Sequence, residues 1–319
     1  MADLDSDGDQ DLVLASMEGS SPILLNDGNG YFNKSAQTLP NNMHDIAIGD
    51  VDNDGDKDLF FAPIRPNLPC PVFLNDGQGV FNRSTTPSTL VPSERVHLFD
   101  IENDGDLDAF LLWRNLLYLN DGSGNFVKSN TTLPGIPTFS DLNSDDYVDI
   151  ISWKGERGFT VYLNDKFGNF VQFSFLQMSS LIICEIDITD IDNDGDNDVI
   201  FSNGEEEKKL PSGILLNDGS GRFTDSGQQL SSVGFGYCGT GDLNNDGYID
   251  ILVADRSGPA NVWINKGNGE FLDSNIKLGD NGGWNNCIIK DIDNDGDLDI
   301  FITNIFSQNH GLWFNQLIE

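Results

Sequence analysis

A nine-residue acidic phrase, Asp-x-Asp-x-Asp-Gly-x-x-Asp, recurs seven times along the chain and constrains the fold more than any other feature. Its first aspartates are Asp3, Asp50, Asp100, Asp141, Asp190, Asp242 and Asp291, separated by 47, 50, 41, 49, 52 and 49 residues. A return distance near fifty residues marks a repeat architecture, in which each unit buries its apolar faces only against its neighbours.

The second unit shows the grammar. His44–Gly49 reads as a strand and runs into the phrase Asp50–Asp58; Leu59–Ala62 reads as a second strand and Pro63–Cys70 as a loop. Val72–Leu74 makes a third strand, which ends in Asn75-Asp76-Gly77-Gln78-Gly79, and Val80-Phe81-Asn82 opens a fourth. Asn-Asp-Gly between apolar runs is a hairpin signal because these residues tolerate positive φ. The turn returns at Asn26, Asn120 and Asn217, with altered forms at Asn164 and Asn265. No helical period is sustained, and breakers arrive every eight to twelve residues. Four short antiparallel strands in each of seven units predict an all-β fold, a seven-bladed β-propeller over residues 1–319 read as one domain. Lettered A to D along each unit, the acidic phrase is the A–B loop and Asn-Asp-Gly the C–D turn. The first unit is expected to lack strand A and the last strand D.

Positions 1, 3, 5 and 9 of the phrase offer side-chain oxygens, position 7 a main-chain carbonyl, and Gly at position 6 permits a sharp turn. Hard divalent cations take six to eight oxygens, and calcium accepts irregular cages more readily than magnesium. The phrases contain no Cys or His, which argues against softer metals. An EF-hand opens the same way but needs Glu at position 12 and flanking helices; in the second unit position 12 is Phe61, inside a strand-like run. The reading is therefore up to seven calcium-binding β-hairpin loops. Their ligand positions are Asp3, Asp5, Asp7, Asp9 and Asp11; Asp50, Asp52, Asp54, Asp56 and Asp58; Asp100, Glu102, Asp104, Asp106 and Asp108. The set continues with Asp141, Asn143, Asp145, Tyr147 and Asp149; Asp190, Asp192, Asp194, Asp196 and Asp198; Asp242, Asn244, Asp246, Tyr248 and Asp250; Asp291, Asp293, Asp295, Asp297 and Asp299. Glu102 is expected to crowd its cage. The fourth loop ranks weakest, because Asp146 holds the Gly position and Asn143 is neutral.

The 52 acidic against 17 basic residues give a formal charge of −35. Such a chain repels nucleic acid and anionic lipid head groups, which makes both poor partners. Seven divalent ions would return about +14. An acidic disordered chain is ruled out by the 21 Phe, 5 Trp and regular apolar runs, which leave too much to bury. No apolar run reaches eighteen residues, so no membrane-spanning helix is expected. The start, Met1-Ala2-Asp3, falls inside the first phrase and reads as a cut rather than an export leader.

The segment Ile48-Gly49-Asp50-Val51-Asp52-Asn53-Asp54-Gly55-Asp56-Lys57-Asp58-Leu59 and the Leu-Asn-Asp-Gly-x-Gly-x-Phe turns resemble the FG-GAP repeats of integrin α-subunit propellers. They are more similar still to the FG-GAP-like repeats of secreted bacterial proteins and of cartilage acidic protein. The resemblance implies a calcium-stabilised propeller outside the cell, serving adhesion or ligand recognition, with calcium held at positions 1, 3, 5, 7 and 9 of each loop.

Cys238 and Cys287 each stand four residues before a phrase, where other units hold Ile46, Val96, Pro137 and Ile186, so both read as small hydrophobes of A strands. Cys70 and Cys184 show no obvious partner, and no disulfide is predicted. His44, His97 and His310 form no metal or nucleophile spacing. Asn33, Asn82 and Asn130 begin N-glycan acceptor patterns, which arise by chance in a chain this rich in Asn, Ser and Thr. The B–C ends of the units hold Arg65, Arg114, Lys154, Arg157, Lys208, Lys209 and Arg256. Trp113 and Trp153 lie at their edges, His310 in the last B–C loop and Trp284 in a D–A connection. Aromatic and Arg side chains anchor recognition surfaces. The expected ligand face is accordingly Arg65, Trp113, Arg114, Trp153, Arg157, Arg256, Trp284 and His310, binding an extracellular glycan or protein. The competing readings are a calcium-dependent polysaccharide lyase or hydrolase on the same scaffold, and a structural spacer. The sequence offers no nucleophile elbow, zinc motif or phosphate loop, which favours a non-enzyme.

Overall fold

The computed structural model describes residues 1–315 except 64–67, 69, 86–92, 94, 134, 154–157, 179–180, 206–207, 235, 280–281 and 305–309. Seven antiparallel sheets follow one another along the chain, four-stranded except for the first and last, which have three strands each. They define a seven-bladed β-propeller fold. In blade 2 strands A to D are Met43–Gly49, Asp58–Pro63, Val72–Leu74 and Asn82–Arg83, within a residue or two of the sequence reading. Blade 1 has only B to D (Leu12–Val13, Ile23–Leu25, Asn33–Lys34), with a lone bridge between Ala2 and Asp11 in place of strand A. Blade 7 has A to C (Trp284–Lys290, Asp299–Asn304, Gly311–Trp313). Each pairing is hairpin-like, as Gly49↔Asp58 shows at the mouth of the second acidic loop.

The contacts divide the chain into two compact units, residues 1–137 with 165–169, and residues 138–164 with 170–319. Within each unit the cores are sandwiched between successive blades. In blades 2 to 7 strand B lies inside its sheet and is buried on both faces, which is why it reads as an unbroken apolar run rather than as an alternating one. Its residues still point alternately to opposite sides. In blade 2, Leu59 and Phe61 pack with Val13 and Ile23 of blade 1, whereas Phe60 and Ala62 pack with Val96 and Ala109 of blade 3. In blade 6, Ile251 and Val253 join the core shared with blade 5, and Leu252 and Ala254 the core shared with blade 7. Rings reinforce these layers: Phe60 meets Phe126 edge-on at 5.2 Å, and Phe159 lies 5.4 Å from Phe201.

Cys238 and Cys287 are buried in these interblade cores as the sequence suggested, and both are free thiols. The only helical element among the described residues is a single 3-10 turn, Leu112–Arg114; none is long and apolar enough to cross a membrane.

Candidate metal centres

Each acidic phrase folds into the same bend. The position-1 carboxylate receives the backbone N–H of position 6 on Oδ2, at 2.8 to 3.1 Å in all seven loops. The position-5 carboxylate receives the N–H of position 7 on Oδ1, at 3.0 to 3.1 Å. Two residues of every loop lie in the left-handed region. Position 6 is the expected glycine in six loops, as at Gly55 with φ 97°, and Asp146 in the fourth. Position 4 is the second, occupied by Ser6, Asn53, Asn103, Ser144, Asn193, Asn245 and Asn294 with φ between 54° and 62°. Asn is among the residues that tolerate this conformation best, which accounts for its recurrence there.

The position-9 carboxylates behave differently. Asp58, Asp108, Asp149, Asp198, Asp250 and Asp299 are buried at the first residue of strand B, and Asp11 just before it, all at 0 to 2% exposure. Oδ2 accepts the N–H of position 2 in the same loop at 2.9 to 3.1 Å. Oδ1 accepts the N–H of the asparagine at the end of strand C, which opens the C–D turn in blades 1 to 6, at 2.7 to 2.8 Å. This residue therefore ties the acidic loop to the turn of its own blade, and each oxygen keeps a second lone pair for an ion.

In loops 1, 2, 5 and 7, the four that match the phrase in full, three carboxylates each bring an oxygen within 4.8 Å of the others. The sets are Asp3, Asp5 and Asp11; Asp50, Asp52 and Asp58; Asp190, Asp192 and Asp194; and Asp291, Asp293 and Asp295. These groups are able to hold metal ions and are compatible with calcium. The fit can be tested on the polar atoms themselves. Oδ1 of Asp5, Asp50, Asp52, Asn143, Asp192, Asp291 and Asp293 is buried without a hydrogen-bond partner. An unpaired buried carboxylate oxygen is costly, and a cation at the centre of the bend removes that cost.

The electrostatics agree. Burial first, and neighbouring carboxylates second, push Asp5, Asp52 and Asp192 above the usual carboxylate range. Burial likewise lifts the position-9 carboxyls, to about 7 at Asp108 and about 6 at Asp58, Asp149, Asp198 and Asp250, despite two backbone N–H bonds on each.

The variant loops differ in detail. Asp146 takes φ 66° and donates its N–H to Asp141 Oδ2 at 2.8 Å, so the fourth loop closes as the glycine loops do. Its Asn143 Oδ1 is among the unpartnered oxygens. In loop 6 the Asn244 amide instead donates to Asp246 Oδ2 at 3.0 Å. Glu102 of loop 3 is exposed, and among the described residues no three-carboxylate group forms around it. At position 7 the side chains of Asp9, Asp56, Asp106, Asp196 and Tyr248 turn away toward the C–D turn of their blade. A Cβ on Gly77, at φ 74°, would stand 2.7 Å from Asp56 Oδ2. Tyr147 and Tyr248 replace Asp at this position, and a Cβ on Gly267 would fall on the Tyr248 ring in the same way. Where the side chain packs on the turn in this way, position 7 has only its main-chain carbonyl to offer an ion.

The asparagine that opens the C–D turn has a role that sequence spacing did not reveal. Its Nδ2 donates to the position-2 carbonyl of the preceding blade: Asn75 to Leu4 and Asn120 to Val51 in the first unit, both at 2.8 Å. In the second unit Asn217 reaches Leu142, Asn265 Ile191 and Asn315 Leu243, at 2.7 to 3.0 Å.

The residues expected to form a ligand face are dispersed. Arg114 is exposed on the 3-10 turn of blade 3, which also carries Trp113. Arg65 and Arg157 lie outside the described residues, as does the Trp113 side chain. Trp153 closes strand B of blade 4 and packs partly onto the core shared with blade 5. Arg256 follows strand B of blade 6 and its carbonyl accepts the Gly283 N–H at 2.6 Å. His310 is exposed, accepts the Asn304 N–H on Nδ1 at 3.1 Å, and tilts its ring against Phe301. Trp284 corrects the sequence reading: it begins strand A of blade 7 rather than lying in a connection, and it is buried edge-on against Trp313. Lys208 and Lys209 likewise head strand C of blade 5, where Lys209 pairs with Asp255 at 2.8 Å.

Fold and loops together define a repeat β-propeller with acidic bends between strands A and B, four of which gather carboxylates able to hold a metal ion. Residues 3–61 and 242–302 match the FG-GAP-like repeat family, and the same bend recurs in the blades between them, which supports an FG-GAP-repeat β-propeller. No curated protein shows significant sequence similarity. Among solved structures, a chain in the crystal structure of BBS1N in complex with ARL6DN is 12% identical with a TM-score of 0.60, over 95% of this chain and 87% of that one. The SapL1 lectin in complex with alpha methyl fucoside is 10% identical with a TM-score of 0.50, over 82% and 90%. The Bacillus licheniformis rhamnogalacturonan lyase PL11 is 10% identical with a TM-score of 0.42, over 89% of this chain and 63% of that chain. At these identities the first two report the fold alone, and the third carries no argument.

Proposed function

We propose that this protein is a non-enzymatic, calcium-stabilised recognition module that works outside the cell. It binds a glycan or a protein at the B–C ends of its blades, away from the acidic loops. The observation that carries the calcium part is the buried, unpartnered oxygen at position 3 of loops 1, 2, 5 and 7, joined by one at position 1 in loops 2 and 7, in the four loops where three carboxylates gather. A non-catalytic role is supported by how the carboxylates at positions 1, 5 and 9 are used. Each is bonded to backbone N–H groups, an arrangement suited to a rigid cage.

Two measurements test this reading. Calcium should raise the melting temperature of chelator-stripped protein and magnesium should not replace it; an unchanged melting temperature would remove the calcium claim. Incubation with a polysaccharide panel should yield bound complexes without new reducing ends or unsaturated products. Cleavage of any member would establish the enzymatic alternative instead.

A further inference from the structure

We infer that the calcium loops of neighbouring blades are coupled in series, through a hydrogen-bonded chain that passes through each position-9 carboxylate and each turn asparagine. The inference rests on the calcium reading above and adds a coupling between sites.

The chain can be followed bond by bond in the second unit. The Leu142 N–H donates to Asp149 Oδ2, and the Leu142 carbonyl accepts Asn217 Nδ2 at 3.0 Å. Asn217 N–H donates to Asp198 Oδ1, and Asp198 Oδ2 accepts the Ile191 N–H. The Ile191 carbonyl accepts Asn265 Nδ2, Asn265 N–H donates to Asp250 Oδ1, and Asp250 Oδ2 accepts the Leu243 N–H. The Leu243 carbonyl accepts Asn315 Nδ2, whose own N–H donates to Asp299 Oδ1. The first unit repeats the pattern from Leu4 through Asn75, Asp58, Val51 and Asn120 to Asp108.

Position 2 is therefore shared. It lies between the position-1 and position-3 ligands of one loop, and its carbonyl is the acceptor that the next blade grips. Its side chain is fixed as well, since Leu142 and Ile191 are each 1% exposed in the interblade cores. An ion that orders positions 1 and 3 also orders the acceptor for the next asparagine. That asparagine in turn sets the position-9 carboxylate of the next cage. Hydrogen bonds in series within a buried setting reinforce one another, and coupling between two sites is reciprocal.

The test is a calcium titration of chelator-stripped protein followed by hydrogen exchange at segments 141–149, 190–198 and 242–250, with 50–58 as a loop from the other unit. In Asp192→Ala, which weakens cage 5 and leaves Asp198 in place, the half-saturating calcium of loops 4 and 6 should rise about fivefold, with loop 2 unchanged. Asn217→Ala should abolish the response of loop 4 and retain that of loop 6. Asp192→Asn, nearly isosteric, serves the same purpose if the alanine variant does not fold. Half-saturation of loops 4 and 6 within twofold of wild type in a folded Asp192 variant would overturn the coupling while leaving calcium binding intact. Wild-type loops that gain no protection with calcium would overturn both claims together.

Discussion

Asn120 Nδ2 reaches the carbonyl oxygen of Val51, 69 residues earlier in the chain, at 2.8 Å, and the Leu107 carbonyl of its own blade at 3.1 Å. One buried side chain thus holds two blades by their backbones. Asn120→Ala would strip both carbonyls of a donor and leave Asp121 N–H without the Asn120 Oδ1 acceptor. Lost buried hydrogen bonds of this kind cost about 1–3 kcal/mol each, so a loss of roughly 2–4 kcal/mol is expected from urea denaturation in calcium. A change under about 0.5 kcal/mol would show that the clip is dispensable.

Positions 3 and 9 should separate by phenotype. Asp52→Ala removes an ion ligand from loop 2 and should lower the calcium stoichiometry by about one, with the fold retained at saturating ion. Asp58→Ala also orphans the Val51 and Asn75 N–H groups, and should cost roughly 2–4 kcal/mol even without calcium. Calorimetric titration and chelator-state denaturation distinguish the two; equal chelator-state stabilities would contradict the dual role of Asp58.

The pH dependence should change sign with the ion. In the metal-free fold the position-9 carboxyls are raised to about 6 at Asp11, Asp58, Asp149, Asp198 and Asp250, mainly by burial. The folded form then binds protons more tightly than the unfolded chain. The resulting stability is fully present below the ordinary carboxylate pKa and is lost as pH rises through about 6. With chelator, the melting temperature should fall between pH 4.5 and 7.5. Saturating calcium should reverse the slope, because protons then compete with the ion. A chelator-state melting temperature that rises across this range would be incompatible with buried metal-free carboxylates.

Calcium itself should contribute heavily to stability. At about 1 mM ion and a Kd of about 0.1 mM, each occupied site adds about 1.4 kcal/mol. Four full cages would approach the net stability of a typical domain. Differential scanning calorimetry with and without chelator measures the sum directly.

Gly77→Ala tests the turn. The substitution places a Cβ at φ 74° and 2.7 Å from Asp56 Oδ2, so it should destabilise by about 1–2 kcal/mol, read from thermal denaturation. A neutral result would mean that the Asp56 carboxylate moves aside freely.

Much of this was legible in the sequence because calcium loops and hairpin turns are local. Their ligands sit at fixed offsets, and the strand boundaries of blade 2 follow from Asp50–Asp58 and Asn75–Gly79. The turn asparagine was read only as a residue tolerant of positive φ. Its bond to a carbonyl some seventy residues away belongs to the stacking of blades, which no local spacing encodes. The position-4 residues carried a signal that went unread: Asn or Ser in all seven loops marks a second left-handed site. Trp284 and Lys208 were misplaced for a different reason, since strands A and C extend further than their apolar runs, carried by pairing with strand B.

The alternation along strand B has an evolutionary corollary. Phe60 answers to one neighbour and Phe61 to the other, so a blade copied into a new place would meet foreign partners on both flanks at once. The acidic loops share one bend, whereas the flanks are matched pairs. Duplicated units of this chain are therefore free to keep identical loops while their interiors drift apart two at a time.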